Sequence, residues 1–244
     1  MRASEFIEKT NAAATPEDVF GLFHAAVKEH GFDSIGFIST TPAAQRAFEV
    51  DSKILPALTV NCPEGWPKHY LAKRYAEIDP ILLAAPRLRS PVAWADFENQ
   101  DRLSPKQRQL FRESREAGMH NGVSIPIHGP AGESFLISLA SAASHRDRPP
   151  DFGHLHLLSL QFYVAFAGLA TQATGVPTMP RLTERERECL NWSAQGKSAW
   201  ATSMILGVSE NTVNFHLKSG MRKLGTTNRV QAVAIAVRAG LIQP

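Results

Sequence analysis

The sequence predicts an α+β protein: an N-terminal antiparallel sheet sandwiched between helices, followed by an all-α domain of four helices. Three observations carry this. The few strand-like runs are flanked by helical ones, the pattern of an α+β domain. Thr174 to Pro180 breaks all periodicity with one Gly and two Pro in seven residues, and reads as a linker. Charge divides at the same place: residues 181–244 hold nine Lys+Arg against four Asp+Glu, net +5, and residues 1–180 hold 17 against 19, net −2, which together give the chain's +3. The domains are therefore set at 1–173 and 181–244, with 174–180 between them, and the front part is long enough to bury a core.

In chain order, Thr15-Pro16-Glu17-Asp18 is a helix start with a cap, a first-turn proline and acidic residues at the dipole's positive end. That helix is expected to end at Gly31, with Phe20, Phe23 and Val27 on its apolar face. Ser34–Thr40 and Ala57–Cys62 read as strands. Gly65–Tyr75 returns to helical spacing, Asp79-Pro80 opens a short helix, and Ser104-Pro105 opens a longer one closed by Gly118. Gly122–Ile127 and Ser134–Ala140 alternate as a hairpin joined by residues 128–133. Phe152 to about Thr171 is a long helix whose stripe Leu155, Leu158, Phe162, Phe166 and Leu169 suits either a core or a dimer seam.

The last domain carries the sharpest pattern. Lys197–Leu206 is a short helix, Gly207-Val208-Ser209 a tight break, and Glu210–Leu224 a second helix capped by Ser209. Val213, Leu217, Met221 and Leu224 share its inward face. The other face offers amides for base edges and cations for phosphates, so the expected DNA-contact set is Asn211, Thr212, Asn214, Lys218, Arg222 and Lys223. A polar stripe alone also fits a solvated surface helix; the local excess of positive charge favours a helix-turn-helix on double-stranded DNA.

In the front domain, Trp66, Tyr70, Tyr75, Asp79 and Trp94 fall within thirty residues. Trp66 and Tyr70 lie one helical turn apart and face the same side. An indole N–H, a phenol and a carboxylate together suit a small molecule with a carbonyl and an N–H. Plain alternatives stand beside this: both tryptophans fit a core, and Asp79 before Pro80 fits an ordinary helix cap.

Leu182-Thr183-Glu184-Arg185-Glu186, Gly196-Lys197, Ser209-Glu210-Asn211-Thr212-Val213-Asn214-Phe215-His216 and Arg222-Lys223-Leu224 resemble the DNA-binding domain of LuxR-type transcription regulators. Trp66, Tyr70, Asp79-Pro80, Trp94 and Gly122 resemble the autoinducer-binding domain of the same family. The resemblance implies a five-stranded antiparallel sheet between helices and an N-acyl-homoserine lactone as ligand. It implies that the Trp66 indole donates to the lactone carbonyl, Asp79 accepts the amide N–H, and Ser138 bonds the acyl carbonyl. Tyr70 would line the acyl group and Trp94 pack over the lactone ring. Two departures matter. Cys62 stands where several members carry a Tyr near the acyl carbonyl, which points to a short, branched or aryl tail or to another species' signal. Ala201-Thr202-Ser203 replaces a usual Glu-Ile-Ala, which is expected to loosen the packing of the two motif helices.

Hydrophobic residues at 43% and charged ones at 20% describe an ordinary globular chain. Cys62 and Cys189 fall in separate domains, so no structural disulfide is expected. Met1–Thr10 lacks an apolar signal core, and no run of about 20 residues suited to a membrane is read. The expected protein is a cytoplasmic homodimer that answers a small-molecule autoinducer, binds DNA and meets the transcription machinery, with no cofactor, metal or membrane partner. Rival readings are a regulator answering a non-lactone or foreign signal, an amide- or lactone-processing enzyme with Asp79 as base, and a phosphorylation-driven response regulator. No nucleophile elbow or phosphate loop supports the enzyme, and the acidic cluster of a receiver domain is missing.

Overall fold

The computed structural model describes residues 1–41, 44, 49–50, 53–54, 57–129, 132–143, 149–174 and 181–243, and gives the backbone alone at 49–50, 53–54, 57–60 and 171–174. The chain divides into two compact units, one built from residues 1–129 and 133–175 and the other carrying 176–244. Of the expected linker 174–180, residues 175–180 lie outside the described ones, as do 130 and 131 of the hairpin loop.

The first unit opens with α1 (Ala3–Asn11) and α2 (Pro16–Lys28). The Thr15 hydroxyl accepts from the Asp18 amide, and the Asp18 carboxylate accepts from the Thr15 amide, closing the capping box that the sequence announces. Next come β1 (Ser34–Ser39), the two-residue strands β2 (Glu49–Val50) and β3 (Lys53–Ile54), and β4 (Ala57–Val60). The helices α3 (Trp66–Ala72) and α4 (Pro80–Ala84) precede β5 (Val92–Ala93), α5 (Trp94–Glu98) and α6 (Pro105–Glu116). The hairpin β6 (Asn121–His128) and β7 (Ser134–Ser141) and the long helix α7 (Phe152–Thr174) complete the unit.

Five strands form one antiparallel sheet in the order β4-β1-β7-β6-β5, while β2 and β3 pair apart from it. Alternation gives the sheet two unlike faces. Phe37, Ile137 and Ile125 lie side by side across β1, β7 and β6, and with Phe135, Leu139, Val123 and Ile127 they pack on α1, α2 and α7. Phe162 of α7 stacks on Phe23 at 4.5 Å and meets Phe20 and Phe37 edge-on at 5.3 and 5.5 Å. Full burial of each such ring is worth roughly 1.5–3 kcal/mol. On the other face the same row reads Gly36, Ser138, Ser124, small and polar, and the helices α3 to α6 stand over it.

The α7 stripe is therefore core: Leu155, Leu158 and Phe162 are fully buried and Phe166 nearly so. The opposite side leaves Leu157, Leu160 and Val164 exposed. Residues 152–170 are long and apolar enough to cross a membrane by length and composition, a run the sequence reading did not count. Here one face of that run packs on the sheet.

The second unit is four helices: α8 (Glu184–Ala194), α9 (Ala199–Leu206), α10 (Glu210–Lys223) and α11 (Arg229–Arg238). Thr183, Ser198, Ser209 and Asn228 each cap a helix through a side-chain oxygen. Cys189, Leu190, Val213, Leu217, Leu224, Ala232 and Ala236 form its core. At the Ala201-Thr202-Ser203 departure, Thr202 and Ser203 are buried, and their hydroxyls donate to the carbonyls of Ser198 and Trp200 at 2.8 and 2.7 Å. These bonds satisfy both hydroxyls within α9, so the departure leaves no unpaired hydroxyl between the motif helices.

Glu186 is buried on α8, yet its carboxylate accepts from the Thr183 amide at 2.7 Å, the Ser219 hydroxyl at 2.8 Å and the Lys223 ammonium at 2.7 Å. Burial pushes its pKa up, but the bonds from Lys223, Thr183 and Ser219 outweigh it and hold the group below its ordinary range. Lys223→Ala should destabilise this unit by about 1.5–3 kcal/mol, read by urea unfolding, because it strips the charged partner from a buried carboxylate. A variant as stable as the parent would show the pair to be idle.

Candidate ligand cavity and DNA-contact face

Between the sheet's polar-lined face and helices α3 to α6 lies a cavity of about 620 Å³. This is within the range of pockets that enclose a drug-sized molecule. Its walls include Cys62, Trp66, Tyr70, Asp79, Trp94 and Ser138, six of the seven residues expected there. Most of the remaining lining is apolar: Ile38 and Leu136 on the sheet, Leu71 on α3, Leu82 on α4 and Phe111 on α6.

Asp79 joins both of its readings from sequence. Oδ1 accepts the Ile81 and Leu82 amides at 2.9 and 3.2 Å, the cap of α4, while Oδ2 accepts the Tyr70 hydroxyl at 2.9 Å. Burial pushes the carboxyl's pKa up, against the three bonds that pull it down. The Tyr70 hydroxyl is raised by burial and by the adjacent Asp79 charge, and stays protonated. A carboxylate has about four acceptor positions. The three bonds leave Asp79 one more, on a wall of the cavity.

Trp94 starts α5, and its Nε1 donates to the Ser124 hydroxyl at 2.9 Å. Ser124 lies opposite Ser138 in the hairpin, their oxygens 3.0 Å apart. Either hydroxyl can donate across that pair, and when Ser124 does, the Ser138 proton is left for the cavity. Sequence reasoning missed Ser124, although the hairpin alternation that places Ser138 on this face places its cross-strand neighbour there too. Gly122 is what lets the Trp94 ring lie on β6: a Cβ at this position would stand 2.2 Å from two ring carbons. Burial pushes the Cys62 thiol up, so it meets the cavity as a neutral, weak donor.

Tyr75 is a correction. It is 2% exposed and is absent from the cavity wall, because its hydroxyl donates to Glu113 Oε2 at 2.6 Å on α6. It backs the wall instead, its ring 5.8 Å from that of Tyr70.

In the second unit, α10 exposes Asn211, Lys218 and Arg222 and half-buries Asn214, and among the described residues none of these four side chains has a hydrogen bond or ion pair. Two other expected contacts are committed elsewhere. The Thr212 hydroxyl lies 2.8 Å from the Ser209 hydroxyl in the helix cap, and the Lys223 ammonium is held by Glu186 and by the Arg181 carbonyl. Both therefore also serve the framework of this unit.

A walled apolar cavity in one unit and a helix-turn-helix in the other define a small-molecule-responsive DNA-binding regulator. Comparison with known proteins agrees. Residues 15–167 match the autoinducer binding domain model, and residues 180–236 match that of bacterial regulatory proteins of the luxR family. The transcriptional activator BjaR1 of Bradyrhizobium diazoefficiens is 30% identical over 243 residues, 99% of this chain and 96% of its own. The activator LuxR of Aliivibrio fischeri is 35% identical over 187 residues, 75% of this chain and 73% of its own. The crystal structure of Escherichia coli SdiA superposes with a TM-score of 0.69 at 25% identity, covering 99% and 98% of the two chains. SdiA solved in complex with octanoyl-rac-glycerol superposes at 0.68, also at 25% identity, covering 98% and 94%. The chain belongs to the LuxR family of quorum-sensing transcription regulators, and it is not an enzyme.

Gly122→Ala should displace the Trp94 ring and cost about 1–3 kcal/mol by overpacking. The check is thermal melting together with the indole's near-ultraviolet circular dichroism; an unchanged indole signal would remove Gly122 from the site.

Proposed function

We propose that residues 1–173 bind an N-acyl-homoserine lactone and that the bound form acts, through the linker 174–180, as a dimer of 181–244 on a near-palindromic DNA site in the cytoplasm. The observation that carries this is the apolar cavity with its few polar groups on two walls: Trp66, Tyr70 and Asp79 on one, Trp94, Ser124 and Ser138 on the other. The Trp66 indole donates to the lactone carbonyl and the spare Asp79 acceptor takes the amide N–H. The Ser138 hydroxyl donates to the acyl carbonyl, Tyr70 and Cys62 border the tail, and the Trp94 face covers the lactone ring. Cys62 leaves more room and one donor fewer than a Tyr, which suits a branched or aryl tail.

Bound ligand then serves as core. At a hundred times its Kd it adds about 2.7 kcal/mol to the folded state, a large part of a domain's usual reserve. The exposed stripes Leu157, Leu160, Val164 on α7 and Val230, Val237 on α11 offer a second copy apolar surface to cover. A dimer sets two α10 helices about 34 Å apart, one turn of duplex, with Asn211 and Asn214 toward base edges and Lys218 and Arg222 toward phosphates. Such binding weakens steeply with salt. In this arrangement the transcription machinery is met by the DNA-bound dimer.

A second reading is a non-lactone signal, favoured by the SdiA complex with octanoyl-rac-glycerol. An acylglycerol has a carbonyl and hydroxyls but no amide N–H, so in that case a ligand hydroxyl donates to Asp79.

Asp79→Asn keeps the volume and removes the charged acceptor. It should cut lactone affinity about 10- to 100-fold, the worth of one hydrogen bond to a charged group; an unchanged shift of melting temperature with ligand would sink the assigned role. The double variant Asn211→Ala, Lys218→Ala should abolish operator binding in a mobility-shift assay while the ligand-induced melting shift persists. Loss of both responses would trace the effect to unfolding and leave the DNA face unsupported.

A further inference from the structure

The cavity's outer wall is held from behind by a cluster that touches no part of the cavity. α3 supplies Trp66, Pro67, Tyr70 and Leu71 to the wall, yet none of its side chains is fully buried. Leu71 on α3 and Leu83 on α4 both line the cavity while remaining 70% and 56% exposed, so the mouth opens between these two helices. The chain enters α3 at Gly65, φ 79°, and leaves it at Arg74, φ 55°, both left-handed. A left-handed non-glycine residue costs on the order of 1–2 kcal/mol, and a few terminal residues with such backbone are where hinged elements take up their rotation.

Two side chains tie α3 down. On the cavity side Tyr70 donates to Asp79, the carboxylate a ligand would also engage. On the outer side the His69 Nε2 lies 2.6 Å from Glu113 Oε2 on α6. The receiving carboxylate is fixed before His69 arrives: Tyr75 donates to the same oxygen at 2.6 Å, and Gln109 of its own helix donates to Oε1 at 2.6 Å. The bonds from His69, Tyr75 and Gln109 hold Glu113 down at about 2, so it is ionised. The His69 ring packs 5.8 Å from Trp66 and 6.1 Å from Tyr75. His69 is thus a contact of α3 that a ligand does not compete for, joined to an anchor on α6.

We propose that α3 is the lid of the cavity and that His69 on Glu113 is its latch, a positioning pair that sets how fast a small amphiphile enters and leaves. This rests on the cavity being the ligand site. It separates rate from recognition: Asp79, Trp66 and Ser138 select the ligand, while His69 governs access to them.

The test compares the full chain with His69→Ala, which removes the latch, and His69→Gln, which keeps a donor. Hydrogen exchange of the ligand-free protein reads lid opening without any ligand. His69→Ala should speed exchange of the amides of residues 69–73 about tenfold, the worth of one partly exposed bond to a charged group, with His69→Gln within threefold of the parent. Stopped-flow tryptophan fluorescence with N-octanoyl-homoserine lactone should show association and dissociation both about tenfold faster in His69→Ala, with Kd within threefold. Unchanged exchange at 69–73, or acceleration spread evenly over the whole unit, would overturn the latch. So would a changed Kd with an unchanged association rate. If the parent binds no lactone, the ligand assignment fails, and localised exchange in His69→Ala still identifies the lid.

Discussion

In the β6–β7 hairpin Ile125 stands opposite Ile137 and Ser124 opposite Ser138. That register decides what each face of the sheet can be. The isoleucine row, continued by Phe37 on β1, meets α2 and α7 and fills with aromatic rings. The serine row, continued by Gly36, has neither the bulk to fill the space under α3 to α6 nor the apolar surface to draw those helices down. A slip of one residue in one strand would set serine against isoleucine and send large side chains into the cavity. The cavity is therefore a consequence of which residues sit at even and odd positions along two strands, and the filled face supplies the stability that permits the other to stay hollow.

Three carboxylates in this chain are used in opposite ways, and the contrast separates framework from site. Glu113 and Glu186 each collect three donors, one of them basic, and both titrate below the ordinary range. The basic partner offsets the charge in each, and each pins one helix to another. Asp79 also has three donors, but none is cationic, and burial dominates. Its ionised form is the least stabilised of the three, and one acceptor position on it stays open. A neutral N–H or O–H brought by a small molecule is the partner such a group lacks, and this is the ground on which Asp79 is proposed for recognition while Glu113 stands in the wall behind it.

What the sequence disclosed follows how local each signal is. Caps at Thr15, Asp79, Ser104 and Ser209 are contained within four residues, and all four are formed. The buried stripes of α7 and α10 follow from periodicity alone. Two elements were not legible: α1, whose nine residues bury only Phe6 and Thr10, and β5, two residues whose strand character exists only through pairing with Ser124 and Val123. Side-chain destinations were legible for the cavity where spacing and resemblance agreed, and failed where a distant partner intervened. Tyr75 is drawn away by Glu113, 38 residues on, and Lys223 by Glu186, 37 residues back. Both are polar residues that composition places at a binding surface, and in both a carboxylate from another helix captures them first.

The size of the cavity limits how the free protein can exist. At roughly 24 cal/mol per Å³ of unfilled core, a dry void of about 620 Å³ would cost on the order of 15 kcal/mol, as much as an entire domain's stability. Such a space must hold water or close partly. Several polar groups on the wall already bond one another: Tyr70 to Asp79, Trp94 to Ser124, Ser124 with Ser138. On the proposed reading an amphiphile covers the apolar wall with its tail while its polar head meets the spare Asp79 acceptor. The gain is greatest with the outer helix seated, since Trp66 and Tyr70 reach the occupant from that helix alone. On the proposed reading, ligand concentration sets how far the cavity is filled, and the latch sets only how fast.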